Sequence, residues 1–245
     1  MTENSDEILL EKHDGWAELI LNRPATRNAI NGPFGELLAQ HATELNADAS
    51  IGAVLLRGAG GAFCSGLDLK SFNADPKPAW HGRFQTIWRD AHRSLFNLNA
   101  ALVVGVERYA INGGAALALA GDFLLLGDDA FLHVGEVQQG MGAPYNLAWL
   151  RLRHSEAVTA RVALLGERIT AEQAVMLGLA TQSVAADELV TQAQEFTAKL
   201  GSYPAGAMAH VKAISTRYRE PDPDAWFDRA FSAGPAPSTA PRAND

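Results

Sequence analysis

The chain has 245 residues, 47% of them apolar, enough for one large domain or for a domain with a smaller appendage. Twenty Lys and Arg against 28 Asp and Glu leave a formal charge of −8, which argues against a nucleic-acid or anionic-membrane surface as the main partner. The single cysteine, Cys64, rules out an intrachain disulfide and a cysteine-rich zinc site and fits a reducing compartment.

The stretch "MTENSDEILLEKHDG" has neither the basic nor the apolar region of a secretory signal. The most hydrophobic run, 115–126, is interrupted by Gly121 and Asp122 and is too short for a bilayer span. A cytoplasmic protein is expected. "ILLEKHDGWAELIL" (8–21) reads as a hairpin turning at Asp14-Gly15, a pair suited to positive φ. Pro33 then opens a helix to about Ala47, and "GAVLLRG" (52–58) is a buried strand ending in the glycine-rich "GAGGAFCSG". Residues 71–79, with two prolines, read as a mobile loop, followed by a helix over 80–98. Strands are expected at 101–107, 122–127 and 130–134, with a helix after "NGG" (112–114). Beyond residue 135 the pattern predicts helices alone, at 145–152, 155–165, 171–177, 187–200 and 205–219, and a disordered tail from Gly234. No repeat of fixed period is visible.

Two segments share one design: a short apolar strand, a glycine turn and a helix start. They are "AVLLRGAGGAFCSGLDL" and "LVVGVERYAINGGAALAL". A helix start exposes unpaired N–H groups, and glycine lets a ligand approach the backbone. Two such donors aimed at one oxygen make an oxyanion hole. Gly113-Gly114 also suits close helix–strand packing, and "CSGLD" also suits a turn with a cap. Neither segment is a nucleotide phosphate loop. Glu136 lies among Val, Gly and Met with no basic neighbour in sequence, a setting that raises a carboxyl's pKa toward acid–base use; a solvated loop glutamate is the competing reading. His133, three residues earlier, is a second candidate or a packed histidine. No His, Asp and Glu cluster has metal-ligand spacing, and no nucleophile elbow is present.

Together these residues resemble the crotonase, or enoyl-CoA hydratase/isomerase, family. "LNRPATRNAI" (21–30) is similar to that family's LNRP-x-x-x-NAL signature, and "GAFCSGLDLK" (61–70) to its AFCAGADL stretch. "VERYAINGGAALALAGDF" (106–123) resembles VNGxAxGGGxELALACD, and "LLGERITAEQAVMLGLATQSV" (164–184) resembles LTGxxxxAxEAxxxGLVxxVV. The resemblance implies a mixed α/β spiral of ββα units with a helical C-terminal trimerisation region. It divides the chain into an acyl-CoA-binding core (1–190), a C-terminal helical region (191–233) and a tail (234–245). It implies a homotrimer or hexamer, an acyl-CoA thioester substrate, and no cofactor or metal beyond the coenzyme A that the substrate carries. Carried over by position, Leu67 and Gly113 supply the oxyanion N–H groups and Glu136 the acid or base. Arg27, Ala29, Ser65, Gly66, Asp68, Leu69, Lys70 and Gly114 fall at substrate-binding positions.

The sequence departs from the pattern at four places. Ala116 stands where hydratases carry a first catalytic glutamate, Asn112 opens what is a glycine triple in the family, Gly135 replaces the usual proline before Glu136, and the family's C-terminal EGxxAFxxKRxPxF segment is missing. One carboxylate suits double-bond isomerisation better than efficient hydration. Hydrolysis of a thioester or a β-diketone-like bond, and non-catalytic acyl-CoA binding, are the alternative readings.

Overall fold

A computed structural model of the protein describes residues 7–215 and 222–232. The chain opens with β1 (Ile8–Lys12) and β2 (Trp16–Leu21), paired antiparallel, and Gly15 takes the positive φ of +77° that the turn requires. Helix α1 (Gly32–Ala47) starts where Asn31 caps it, the side-chain oxygen accepting from the Phe34 N–H at 2.9 Å, with Pro33 in the first turn. Strand β3 (Ala53–Gly58), the short α2 (Leu69–Phe72), α3 (Phe84–Phe96) and β4 (Ala101–Val106) follow. Next come β5 (Tyr109–Ile111), α4 (Gly113–Leu119), β6 (Phe123–Gly127) and β7 (Phe131–His133). The last part contains α5 (Pro144–Arg153), α6 (Glu156–Ala163), β8 (Arg168–Thr170), α7 (Ala171–Met176), β9 (Gln182–Val184), α8 (Leu189–Gly201), α9 (Ala207–Ser215) and α10 (Pro223–Ser232).

Six strands form one sheet in the order β1-β2-β3-β4-β6-β9, parallel throughout except for the β1–β2 hairpin. Successive residues of its buried strands face opposite sides. Val54, Leu56, Leu102, Val104, Leu124 and Leu126 enter the larger core, whereas Ala53, Leu55, Ala101, Val103 and Leu125 form a second core with Leu189, Ala193 and Leu200 of α8. Burial on both faces explains why these strands read as continuous apolar runs rather than alternating ones. The boundary expected at residue 190 falls inside α8, which covers the sheet's second face.

A second, smaller sheet (β5-β7-β8) continues through two parallel bridges, Cys64 with Ala110 and Ile30 with Leu67. Each long parallel strand is thus followed by a short one and then by a helix, which is the expected ββα spiral. The long strands begin at Trp16, Ala53, Ala101 and Phe123, unequal steps that leave no fixed period in the sequence.

The expectation of helices alone after residue 135 is corrected by β8 and β9, and β5 was likewise not anticipated. Each has three residues, too few to display a period of two. The predicted helix over 80–98 is a 3-10 turn, His81–Arg83, leading into α3. The helix expected over 205–219 is α9, residues 216–219 lying outside the described residues, as does the tail from Gly234.

Candidate active site

The small sheet brings the two glycine turns together. Loop 22–31 is stitched to loop 59–68 by backbone bonds from Ile30 N to Gly66 O (2.8 Å), Asp68 N to Ile30 O (2.8 Å) and Ser65 N to Arg27 O (3.1 Å). Asn28 completes the seam: its fully buried side chain accepts from Arg23 N and donates to Ala59 O and Ala62 O. Arg23 ties the same turn by donating to the Ala29 carbonyl and to Asp68 Oδ2, the latter at 3.0 Å. Arg27, Ala29, Ser65, Gly66 and Leu67 therefore form one patch, with Arg27 exposed and Ala29 buried.

Gly66, at φ +90°, packs its Cα on the Ile111 carbonyl, so this patch abuts the second turn; a Cβ there would lie 2.9 Å from that oxygen. Ile30 touches both turns: it bridges to Leu67, and its Cδ1 lies 3.0 Å from where a Gly113 Cβ would be. Among the described residues, neither the Leu67 N–H nor the Gly113 N–H is taken by another group. Gly114 is bare for a steric reason. A Cβ there would meet Cys64 O at 2.6 Å and Cys64 Sγ at 2.9 Å, and its φ is not positive. Cys64 itself is buried, and desolvation pushes its thiol up to about 12, so it is inert packing.

Asp68 is 8% exposed and fully engaged. It caps α2 by accepting from Ser71 N (3.0 Å) and Ser71 Oγ (2.8 Å) and pairs with Arg23. Burial alone would raise its carboxyl, but the two Ser71 donors and Arg23 together hold it below the ordinary value. Leu69 and Lys70, on the first turn of α2, are exposed.

Glu136 is equally buried, at 8% exposure, and its partners differ. It begins a 3-10 turn after β7, brought toward Gly113 by Asn112, whose N–H donates to His133 O (2.7 Å) and whose Oδ1 accepts from Gly135 N (2.9 Å). Glu136 Oε1 accepts from Asn146 Nδ2 at 2.9 Å, while the buried Oε2 has no partner. Desolvation is the main influence and raises its pKa, its own N–H and Asn146 opposing only in part. Gly135 has a local reason to be glycine, since a Cβ would sit 2.6 Å from the His133 ring. His133 is anchored, its Nε2 bonded to Gly166 O at 3.0 Å. Ala116 is fully buried on α4 and brings no acid.

Asp122, the first ionisable residue after the glycine pair, plays a structural part. Lys212 (2.7 Å) and Arg153 (3.2 Å) pair with it, and it accepts from Leu102 N. Burial is the largest influence on it and favours protonation, yet these partners keep its pKa low. It lines a cleft of about 780 Å³ that contains none of the residues above other than Arg153. Glu11, His13 and Glu18 on the β1–β2 hairpin come within metal-binding reach of one another, a cluster that spacing had not suggested. Glu18 already takes Arg57 at 2.6 Å and Gln194 at 2.7 Å, so its charge is compensated without an ion.

Asn146 and Asn112 were not identified from sequence as part of this site. The available signal was an asparagine on the third position of a helix already started by Pro144, where capping does not explain it.

Fold and site together define an α/β protein in which a turn bearing an untaken backbone N–H is linked through Asn112 and Asn146 to a buried carboxyl group. A profile of the family "Enoyl-CoA hydratase/isomerase" matches residues 11–226. Among curated relatives, 1,2-epoxyphenylacetyl-CoA isomerase of Escherichia coli is 30% identical over 209 residues, covering 84% of this chain and 80% of the relative. Carnitinyl-CoA dehydratase of Proteus mirabilis is 30% identical over 213 residues, covering 86% and 80%. The crystal structure of an enoyl-CoA hydratase from Mycobacterium tuberculosis superposes with a TM-score of 0.77 at 30% identity, covering 93% of this chain and 88% of that one. An enoyl-CoA hydratase/isomerase from Mycobacterium paratuberculosis gives 0.82 at 27% identity, covering 94% and 93%. The chain belongs to the enoyl-CoA hydratase/isomerase family and has the crotonase fold. No helix among the described residues is long and apolar enough to cross a membrane.

Proposed function

We propose that the protein moves a double bond within an enoyl-CoA thioester, using Glu136 as its one acid–base group. The observation that carries this reading is the pairing of a buried Glu136 with an unpartnered oxygen and an Ala116 that offers no second carboxylate. The thioester oxygen accepts from the Leu67 and Gly113 N–H groups. Glu136 removes a proton from C2 of a 3-enoyl group, and the charge moves onto the thioester oxygen as a dienolate. Glu136 then returns the proton to C4, leaving the 2-enoyl product and the starting carboxylate. A low-dielectric setting that raises the carboxyl's pKa matches its proton affinity to such an enol.

Hydration asks for more. A water must be positioned, deprotonated and added at C3 while a proton reaches C2, and a positioned acid or base is worth about 10²–10⁴-fold in such a step. The reaction needs no cofactor beyond the coenzyme A of the substrate. Lys70, exposed on α2, is assigned to its phosphates, Arg27 and Ala29 to its adenine end, and Ser65, Gly66 and Leu69 to the walls of the site. The exposed apolar residues Leu164, Met176 and Val211 support contact between copies in a homotrimer or hexamer.

The test is a paired assay with 2-enoyl-CoA and 3-enoyl-CoA of equal chain length. Growth of conjugated-thioester absorbance from the 3-enoyl substrate, with slow or no loss from the 2-enoyl one, is expected. Faster hydration than isomerisation, or release of free coenzyme A, overturns the reading.

A further inference from the structure

We infer that Asn146 is a positioning residue whose side-chain amide holds the acid–base carboxyl and the Gly113 oxyanion donor in one fixed relation. The inference rests on the reading of Glu136 and Gly113 given above. Asn146 is 1% exposed, and its Nδ2 donates to two groups, Glu136 Oε1 at 2.9 Å and the Asn112 carbonyl at 3.1 Å. Both partners are acceptors, which dictates that the NH₂ and not the oxygen of the amide faces them.

The Asn112 carbonyl belongs to the same peptide unit as the Gly113 N–H. A trans peptide is planar, so its C=O and N–H point in opposite directions, and fixing one direction fixes the other. Asn146 and the Ala116 N–H, at 3.0 Å, together hold that carbonyl on the protein side. The Gly113 N–H is thereby aimed away from α5, and polarisation of the carbonyl strengthens it as a donor. Asn112 has a φ of +51°, a conformation that few residues adopt without such support. The amide's two protons therefore join the proton carrier to the charge acceptor. Its own Oδ1 is buried without a partner, an arrangement whose cost is accepted only because the NH₂ is needed where it is.

Among the described residues no charged side chain is paired or hydrogen-bonded with Glu136. Its carboxyl is influenced by burial, its own N–H and Asn146, and the nearest titratable group in its turn, His133, is directed to Gly166 O. The Asn146 donor can therefore be read through the proton affinity of Glu136 with little interference.

The experiment is an infrared titration of the full-length protein, in which the Glu136 carboxyl band is identified by its disappearance in Glu136→Gln. It is run on wild type, Asn146→Ala and Asn146→Asp, with folding checked by circular dichroism. Removing the donor in Asn146→Ala raises the Glu136 midpoint by about one pH unit. In the isosteric Asn146→Asp two carboxyls compete for one proton, and the upper midpoint rises further. In parallel, 3-enoyl-CoA turnover falls by about 10–100-fold in both variants with KM little changed. An unmoved midpoint in folded Asn146→Asp overturns the assignment, and that variant decides the matter if Asn146→Ala does not fold. If the midpoint moves but wild type turns over neither enoyl-CoA, the isomerase reading fails and the role of Asn146 stands.

Discussion

Asp68 and Glu136 are two carboxyl groups of equal exposure on the same site, and they have been treated in opposite ways. Asp68 is given three donors, one of them a guanidinium, and its pKa falls despite burial. Glu136 is given one side-chain donor, keeps one oxygen empty, and its pKa rises. Desolvation raises both, and at Asp68 the Ser71 donors and the Arg23 charge reverse the sign. A carboxylate that is satisfied holds a turn in place. One that is left short of partners has capacity for a proton, which is what the proposed chemistry requires.

The sharpest way to break this comparison is to neutralise each carboxyl in turn. Glu136→Gln is expected to lower 3-enoyl-CoA turnover by about 10²–10⁴-fold with nearly unchanged thioester affinity, measured by steady-state kinetics and calorimetry. Asp68→Ala is expected to act on stability instead, by about 2–4 kcal/mol in urea unfolding at fixed protein concentration, because α2 loses its cap and Arg23 keeps only Glu7 of its two carboxylate partners. Any turnover lost there follows displacement of Leu67.

The neighbouring glycines give a smaller contrast. Gly114→Ala puts a methyl into the Cys64 backbone and is expected to cost about 1–3 kcal/mol. Gly113→Ala meets only the tip of Ile30 at 3.0 Å and Trp88 at 3.7 Å, so its unfolding midpoint should move less. Equal losses in the two variants would show that the bare backbone serves something other than packing on Cys64.

Stability against pH separates the carboxyls by sign. Glu136, raised in the folded protein, binds its proton more tightly there, so stability is lost as pH climbs from the ordinary value of 4.5 through the raised one. Glu136→Gln should therefore gain stability relative to wild type at pH 8 and not below pH 4.5. Asp68, lowered, contributes stability above its ordinary 3.8 that disappears as pH falls through the lower folded value. His92, fully buried and brought down to about 3 by desolvation, with Nδ1 accepting from Trp149 Nε1 at 2.9 Å, adds a second acid-side dependence. Its contribution is complete above 6.5 and is lost as pH falls toward about 3. His92→Gln, which retains an acceptor for Trp149, should flatten the acid limb of a thermal-unfolding profile over that range.

What the sequence made legible follows from length and chemistry. Strands β3, β4 and β6 were visible because burial on both faces leaves unbroken apolar runs, and α1 because Pro33 marks its first turn; the Asn31 cap was not anticipated. Of the small sheet's three-residue strands only β7 was visible; β5 and β8 were not, although they help to bring the site together. Glu136 was visible as a carboxylate in apolar company. Asp68 was placed at the substrate, whereas the structure shows every one of its oxygens committed to Ser71 and Arg23. Asn146 gave only the sign of an asparagine inside a helix where capping does not explain it, since its importance lies in two acceptors brought to it from other segments, Asn112 and Glu136.

The most direct measurement of the central claim uses 3-enoyl-CoA carrying deuterium at C2. A single, nearly buried Glu136 that both removes and returns the proton predicts that part of the label reappears at C4 of the 2-enoyl product, and that Glu136→Gln abolishes the transfer. Complete loss of label to water from the wild-type enzyme, or transfer that survives Glu136→Gln, would contradict it.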